Sequence, residues 1–114
     1  MGRLFQKTTS GNKTLAYFEN DKVKSVKDTA KWLAWYNNMG QIFTQAPFSE
    51  VAIIANCDLS GNIRRGSSAY GFVVAKCEDG IIFEGSTTDG RILAHFDGDM
   101  FGAAAAVSVI LLTL

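Results

Sequence analysis

The chain has 114 residues, 47% hydrophobic and 19% charged, with Lys+Arg and Asp+Glu balanced at 11 each. That length and composition suit one domain with its own core and exclude a disordered, charge-rich chain. The charge is unevenly placed: residues 1–50 carry Lys+Arg 7 against Asp+Glu 4, and residues 51–114 carry 4 against 7. A basic half joined to an acidic one allows a phosphate-facing surface beside a metal-binding one, or is simple surface scatter.

Residues 1–12 read as a flexible N-terminus, and MGRLFQKTTSG has no apolar stretch for a signal peptide. Lys13 to Glu19 reads as a strand that Asn20-Asp21 breaks. A capping-box-like start at Ser25 to Asp28, then Val26, Ala30 and Leu33 at helical spacing, predicts a basic helix through Trp35 or Tyr36, stopped by Asn37-Asn38 and Gly40. Gln41 to Glu50 is an irregular connection with the single proline, Pro47. An antiparallel three-stranded meander is predicted over roughly 51–58, 69–77 and 81–86, with Asp79-Gly80 supplying the φ > 0 residues of a two-residue hairpin. Thr87 to His95 reads as a loop or weak strand, and a helix runs from about Asp97 to the end. The expected fold is α+β, a mixed sheet in the order β-α-β-β-β-α, with residues 13–50 as strand plus basic helix and 51–114 as meander plus apolar helix. No internal repeat is apparent beyond Ala103 to Ala106.

Cys57 and Cys77 end the first two meander strands, so a hairpin would put them at opposite ends and no disulfide is expected. Two reduced thiols without a Cys-x-x-Cys or Cys/His cluster fit a cytoplasmic protein without structural zinc. Phe101 to Leu114 is almost wholly apolar but shorter than the ~20 residues of a membrane span, so no membrane partner is expected. A helix with so little polar face must be buried all round or shared between subunits, which predicts a homodimer burying Phe101, Val107 and Leu111. Gly85, Gly90 and Gly98 have no phosphate-loop spacing. His95, the single histidine, reads as structural.

Asp58-Leu-Ser60 at a strand end, Tyr70-Gly71 opening the next strand, and Asp99-Met-Phe-Gly102 leading into an apolar helix resemble motifs of type 1 ribonuclease H and its retroelement relatives. Leu59 stands where that family usually has Gly, and Asp99 where it has Glu; Asp97 is a second candidate. The family's last strand and basic Trp helix are absent at the end, but LAYFEND and Lys31-Trp32-Leu-Ala-Trp35-Tyr36 look like them placed at the front, which implies a shortened, circularly permuted RNase H-like fold. The resemblance implies a metal-dependent endonuclease acting on RNA in RNA/DNA hybrids. Asp58 would bridge two Mg²⁺ or Mn²⁺ ions, Asp99 would hold one, and Glu19 or Asp21 would supply the third carboxylate. The competing reading makes Asp58 a turn cap, Asp97 or Asp99 a helix N-cap, and Glu19 or Asp21 a solvated strand end. Lys24, Lys27 and Lys31, in a helical stripe leading to Trp35, and Arg64-Arg65 would contact nucleic acid, or form a solvated face. The alternative function is a non-enzymatic homodimeric binding module, profilin-like, roadblock-like or a small mobile-element inhibitor.

Overall fold

Five copies of one short pattern organise the molecule: Leu15-Ala16, Leu33-Ala34, Ile54-Ala55, Val74-Ala75 and Leu93-Ala94, with the alanines 18 to 21 residues apart. Two positions beyond each alanine stands Phe18, Tyr36, Cys57, Cys77 or Phe96. The computed structural model describes residues 2–28, 31–44, 53–68 and 70–114. Its strands are β1 (Gly2–Thr8), β2 (Gly11–Glu19), β3 (Lys22–Ser25), β4 (Trp32–Tyr36), β5 (Gln41–Phe43), β6 (Ile53–Cys57), β7 (Asn62–Arg65), β8 (Val73–Glu78), β9 (Ile81–Glu84) and β10 (Ile92–Asp97), and helix α1 (Met100–Ile110) follows. Each strand pairs antiparallel with its neighbours in sequence, and β1 also pairs with β10, so the sheet closes into a barrel.

The pairing register repeats with the pattern. Within the units Phe18 faces Val23, Tyr36 faces Ile42, Cys57 faces Ile63 and Cys77 faces Ile82. The fifth unit is assembled from the two ends of the chain, with Phe96 of β10 facing Leu4 of β1. Between units the alanines face the same set: Leu4 and Ala16, Val23 and Ala34, Ile42 and Ala55, Ile63 and Ala75, Ile82 and Ala94. Each of these junctions contains a register shift that skips Leu15, Leu33, Ile54, Val74 or Leu93. A bulge re-aims a side chain, and these five residues pack against the core with the alanine that follows.

Ten strands about 4.8 Å apart close into a ring on the order of 15 Å across, more than strand side chains alone fill. Helix α1 occupies the lumen. Gly102 to Ser108 are all buried, and consecutive helical residues point all round the axis, so the helix is enclosed on every side. A helix with ordinary side chains is about 10–12 Å wide, which leaves room only where both surfaces are small. Alanines 103 to 106 therefore share the core with the five strand alanines. A Cβ on Gly102 would run into the Phe18 ring. Ser108 meets its polar requirement inside the helix, its Oγ donating to the Ala104 carbonyl at 2.7 Å.

The closed all-antiparallel barrel overturns the mixed α+β sheet, the β-α-β-β-β-α order and the RNase H-like resemblance. The expected basic helix is replaced by β3, a connection and β4. Its helical spacing arose because the bulge turns Leu33 and Ala34 to the same side and spoils the alternation of an aromatic-rich strand. The polar run after Asp58 hides β7, whose single buried apolar side chain is Ile63. The N-terminal segment read as flexible is β1, paired on both edges. The repeat went unseen because its units share little beyond an alanine and a turn residue. Pro47 lies outside the described residues.

Candidate functional site

The two ends of the barrel differ, and the chain direction decides how. At one end, short turns join β2 to β3, β4 to β5, β6 to β7 and β8 to β9, and the chain enters α1. Each turn has a residue with positive φ at the same place in the unit: Asp21 (φ 67), Gly40 (φ 81), Gly61 (φ 90), Gly80 (φ 79), and Gly98 (φ 98) before the helix. The carbonyls of Asp21, Gly40, Gly61 and Gly80 accept the N–H groups of Tyr36, Cys57, Cys77 and Phe96 in the next unit at 2.8 to 3.0 Å. Any side chain at Gly40 or Gly61 would meet the Cys57 or Cys77 carbonyl, so glycine is required there by contact as well as by conformation. Asp79, at φ 53, and Gly80 form the two-residue turn expected of them.

This turn end carries Glu19, Asp21, Asp58 and Asp99, the residues the sequence singled out for metal. Glu19, Asp21 and Asp99 border one open depression of about 300 Å³ with Tyr36, Phe18 and Gly98. Burial, followed by the charges of Asp99 and Asp21, pushes the Tyr36 hydroxyl up to about 12, while a backbone hydrogen bond from Asp21 pulls the other way. Asp58 lines a different depression, with Met39, Leu59 and Phe101. Among the described residues no three His, Cys, Asp or Glu side chains gather as a metal-holding group.

Asp58 is occupied in building its turn. Its Oδ1 accepts from the Ser60 and Asn62 N–H groups at 2.9 and 3.0 Å, and its Oδ2 accepts from Arg64 Nη1 at 2.9 Å and Asn62 Nδ2 at 3.2 Å. Partial burial raises its pKa, but the hydrogen bonds from Arg64, Asn62 and Ser60 outweigh that and hold it below the usual carboxylate value. Asn37 does the same work one unit earlier, accepting from the Met39 and Gln41 N–H groups at 3.0 Å. An uncharged amide in the equivalent place identifies the turn as the local demand. Asp99 caps α1, its Oδ1 accepting from the Phe101 N–H at 3.1 Å. Asp97 pairs with Arg3 at 3.1 Å on the barrel wall.

Cys57 and Cys77 are buried free thiols at the same end of the barrel, because β6 and β8 run in one direction with β7 between them. The opposite-ends reading assumed that they were paired neighbours. The Cys77 thiol and burial push the Cys57 thiol far above its ordinary range. The two side chains are close enough to interact, and both remain free thiols.

The predicted nucleic-acid residues are scattered. Lys24, on β3, pairs with Glu19 at 3.3 Å, and Arg64 pairs with Asp58. Trp35 lies on the barrel wall, edge-on to Trp32, over which Lys22 Nζ sits 4.0 Å from the ring centroid. Lys27, Lys31 and Arg65 project at the opposite, loop end, where longer connections join β3 to β4 and β7 to β8. They make no ion pair among the described residues.

At that loop end Tyr70 is 97% exposed and Phe72 93% exposed. Their loop is tied down from the barrel: Asn56 Nδ2 donates to the Gly66 and Ser68 carbonyls at 2.9 and 3.0 Å, and Arg64 Nε donates to the Gly71 carbonyl at 3.1 Å. The Tyr70 N–H is held by Ser68 Oγ at 3.1 Å. The aromatic tips are thus presented by a fastened loop. Val26 and Ile92 are also exposed there. The signal available in the sequence was an aromatic-glycine-aromatic run, Tyr70-Gly71-Phe72, directly before a strand, with Arg65 shortly ahead of it.

Of the three residues expected at a subunit interface, Val107 has no exposed surface, while Phe101 and Leu111 are partly buried. No helix among the described residues is long and apolar enough to cross a membrane. Comparison of the chain with protein families, with curated proteins and with solved structures finds no match.

Proposed function

We propose that the protein is a non-enzymatic binding module that engages an anionic partner through its loop end. The observation that carries this reading is the Tyr70-Gly71-Phe72 tip, held almost fully in solvent by Asn56 and Arg64 at the end that also carries Lys27, Lys31 and Arg65, which make no ion pair among the described residues. Exposing two large aromatic side chains forgoes the roughly 1.5–3 kcal/mol that burying each would contribute, which a binding role accounts for. Loops set on a rigid scaffold are where recognition residues concentrate. Two buried cysteines left as free thiols suit a reducing compartment, and a cytoplasmic location is part of the proposal.

The test is a titration of the full chain against polyanions of several kinds, a sulfated polysaccharide, a single-stranded polynucleotide and anionic vesicles, at low and high salt. Salt-sensitive binding to at least one, weakened in the Lys27→Gln/Lys31→Gln/Arg65→Gln protein, is expected. Binding to none, or binding that the triple substitution leaves untouched, overturns the reading.

A further inference from the structure

The geometry points to the surface of an anionic lipid bilayer as the partner of the loop end, an inference that rests on the binding-module reading above. Val26 lies in the β3–β4 connection, Tyr70 and Phe72 in the β7–β8 connection, and Ile92 opens β10, so the exposed apolar residues come from three places around the barrel rim. They stand exposed at separate places around the rim, which fits a broad surface better than a strand of polymer. Val26 and Ile92 are aliphatic and offer a nucleic-acid base nothing to stack on, whereas both partition into a bilayer interface. Tyr and Phe sit well at the headgroup boundary, an apolar ring below and, for Tyr, a hydroxyl in the wet layer.

Charge supports the same partner. Lys27, Lys31 and Arg65 extend from the rim that bears the apolar tips, and each cation near an anionic leaflet adds attraction that decays within a Debye length. The opposite end carries Asp21, Asp58, Asp79 and Asp99 in its turns and Glu19 and Glu78 at its strand ends. Asp28 and Asp89 also lie in loop-end connections and Lys22 beside a turn-end one, so neither rim is of one sign, but the turn end is the more acidic and a negative surface orients the barrel loop end down. The last residues of the chain strengthen the match: Leu111, Leu112 and Leu114 are only partly covered where α1 leaves the lumen at this end. Docking therefore combines shallow insertion of loop tips with electrostatic attraction, the two signals that together give stable peripheral binding.

The experiment is co-sedimentation of the full chain with vesicles of phosphatidylcholine alone and of phosphatidylcholine mixed with phosphatidylserine, beside titrations with the polynucleotide and the sulfated polysaccharide. Binding to the mixed vesicles, weak binding to the neutral ones, and loss of affinity in high salt are expected. Tyr70→Ser/Phe72→Ser should weaken vesicle binding by about tenfold or more. Lys27→Gln/Lys31→Gln/Arg65→Gln should weaken it and flatten its salt dependence. Met39→Ser/Leu59→Ser removes exposed apolar side chains from the turn end and should leave binding unchanged. Vesicle binding lost equally in the turn-end variant overturns the assigned face. Salt-sensitive binding to the polynucleotide or to the sulfated polysaccharide with no binding to mixed vesicles overturns the bilayer while the module reading stands, and binding to none of the three removes both.

Discussion

The two ends of this barrel are made by the same ten strands yet follow different rules. At the turn end, every connection is two to four residues long, built on a left-handed residue, and hydrogen-bonded to the next unit through Asp21, Gly40, Gly61 or Gly80. At the loop end, the connections from β3 to β4, β7 to β8 and β9 to β10 are longer; Val26, Tyr70 and Phe72 lie exposed in the first two, Ile92 is exposed where β10 opens, and Lys27, Lys31 and Arg65 make no ion pair among the described residues. The difference teaches that carboxylates gathered at one end of a fold can be the by-product of turn chemistry. Asn37, Asp58 and Asp99 each receive backbone N–H groups on a side-chain oxygen, and Asn20, Asp21 and Asp79 hold positive φ, so the turns by themselves account for Asp and Asn at this end.

The comparison can be broken most sharply at the glycines. Gly61→Ala should cost about 3 kcal/mol, since it forces an L side chain to φ 90 and drives its Cβ into the Cys77 carbonyl. Gly66→Ala, at φ 73 on the loop end with open space around it, should cost about 1 kcal/mol. Urea unfolding of the two variants measures the gap, and equal losses would remove the distinction between the ends. Next in size, Ala75→Leu should cost about 2 kcal/mol by overfilling the lumen against α1, read by the same unfolding curves.

Smaller effects separate the carboxylates from the chemistry first expected of them. Asp58→Asn should keep the turn, as Asn37 keeps its own, and cost under about 1 kcal/mol through the Arg64 pair. The folded-state pKa of Asp58 lies below its ordinary value of about 3.9, so its contribution is fully present above that pH and is lost as pH falls below about 4. Acid unfolding of wild type should therefore include a component that Asp58→Asn lacks. Smallest of all, Tyr70→Ser/Phe72→Ser should change stability by no more than about 0.5 kcal/mol, because neither ring is covered in the fold. A large loss in thermal unfolding would mean that the tips serve the barrel.

Local chemistry was legible in the amino-acid sequence. The strand ending at Glu19, the Asp79-Gly80 turn, the capping role open to Asp99 and the enclosure required by an apolar helix all follow from residue preferences within a few positions. What only the tertiary structure decided was closure. A strand cannot report which partner it will meet, and the bulges at Leu15, Leu33, Ile54, Val74 and Leu93 disguise the alternation that would have marked five equivalent units. Whether the apolar helix lies on a sheet, across a dimer or inside a barrel depends on the width of the lumen. That width is set when β1 returns to pair with β10, a contact between residues more than ninety positions apart. Helix and strands could then approach because alanine faces alanine, a complementarity that no single segment contains.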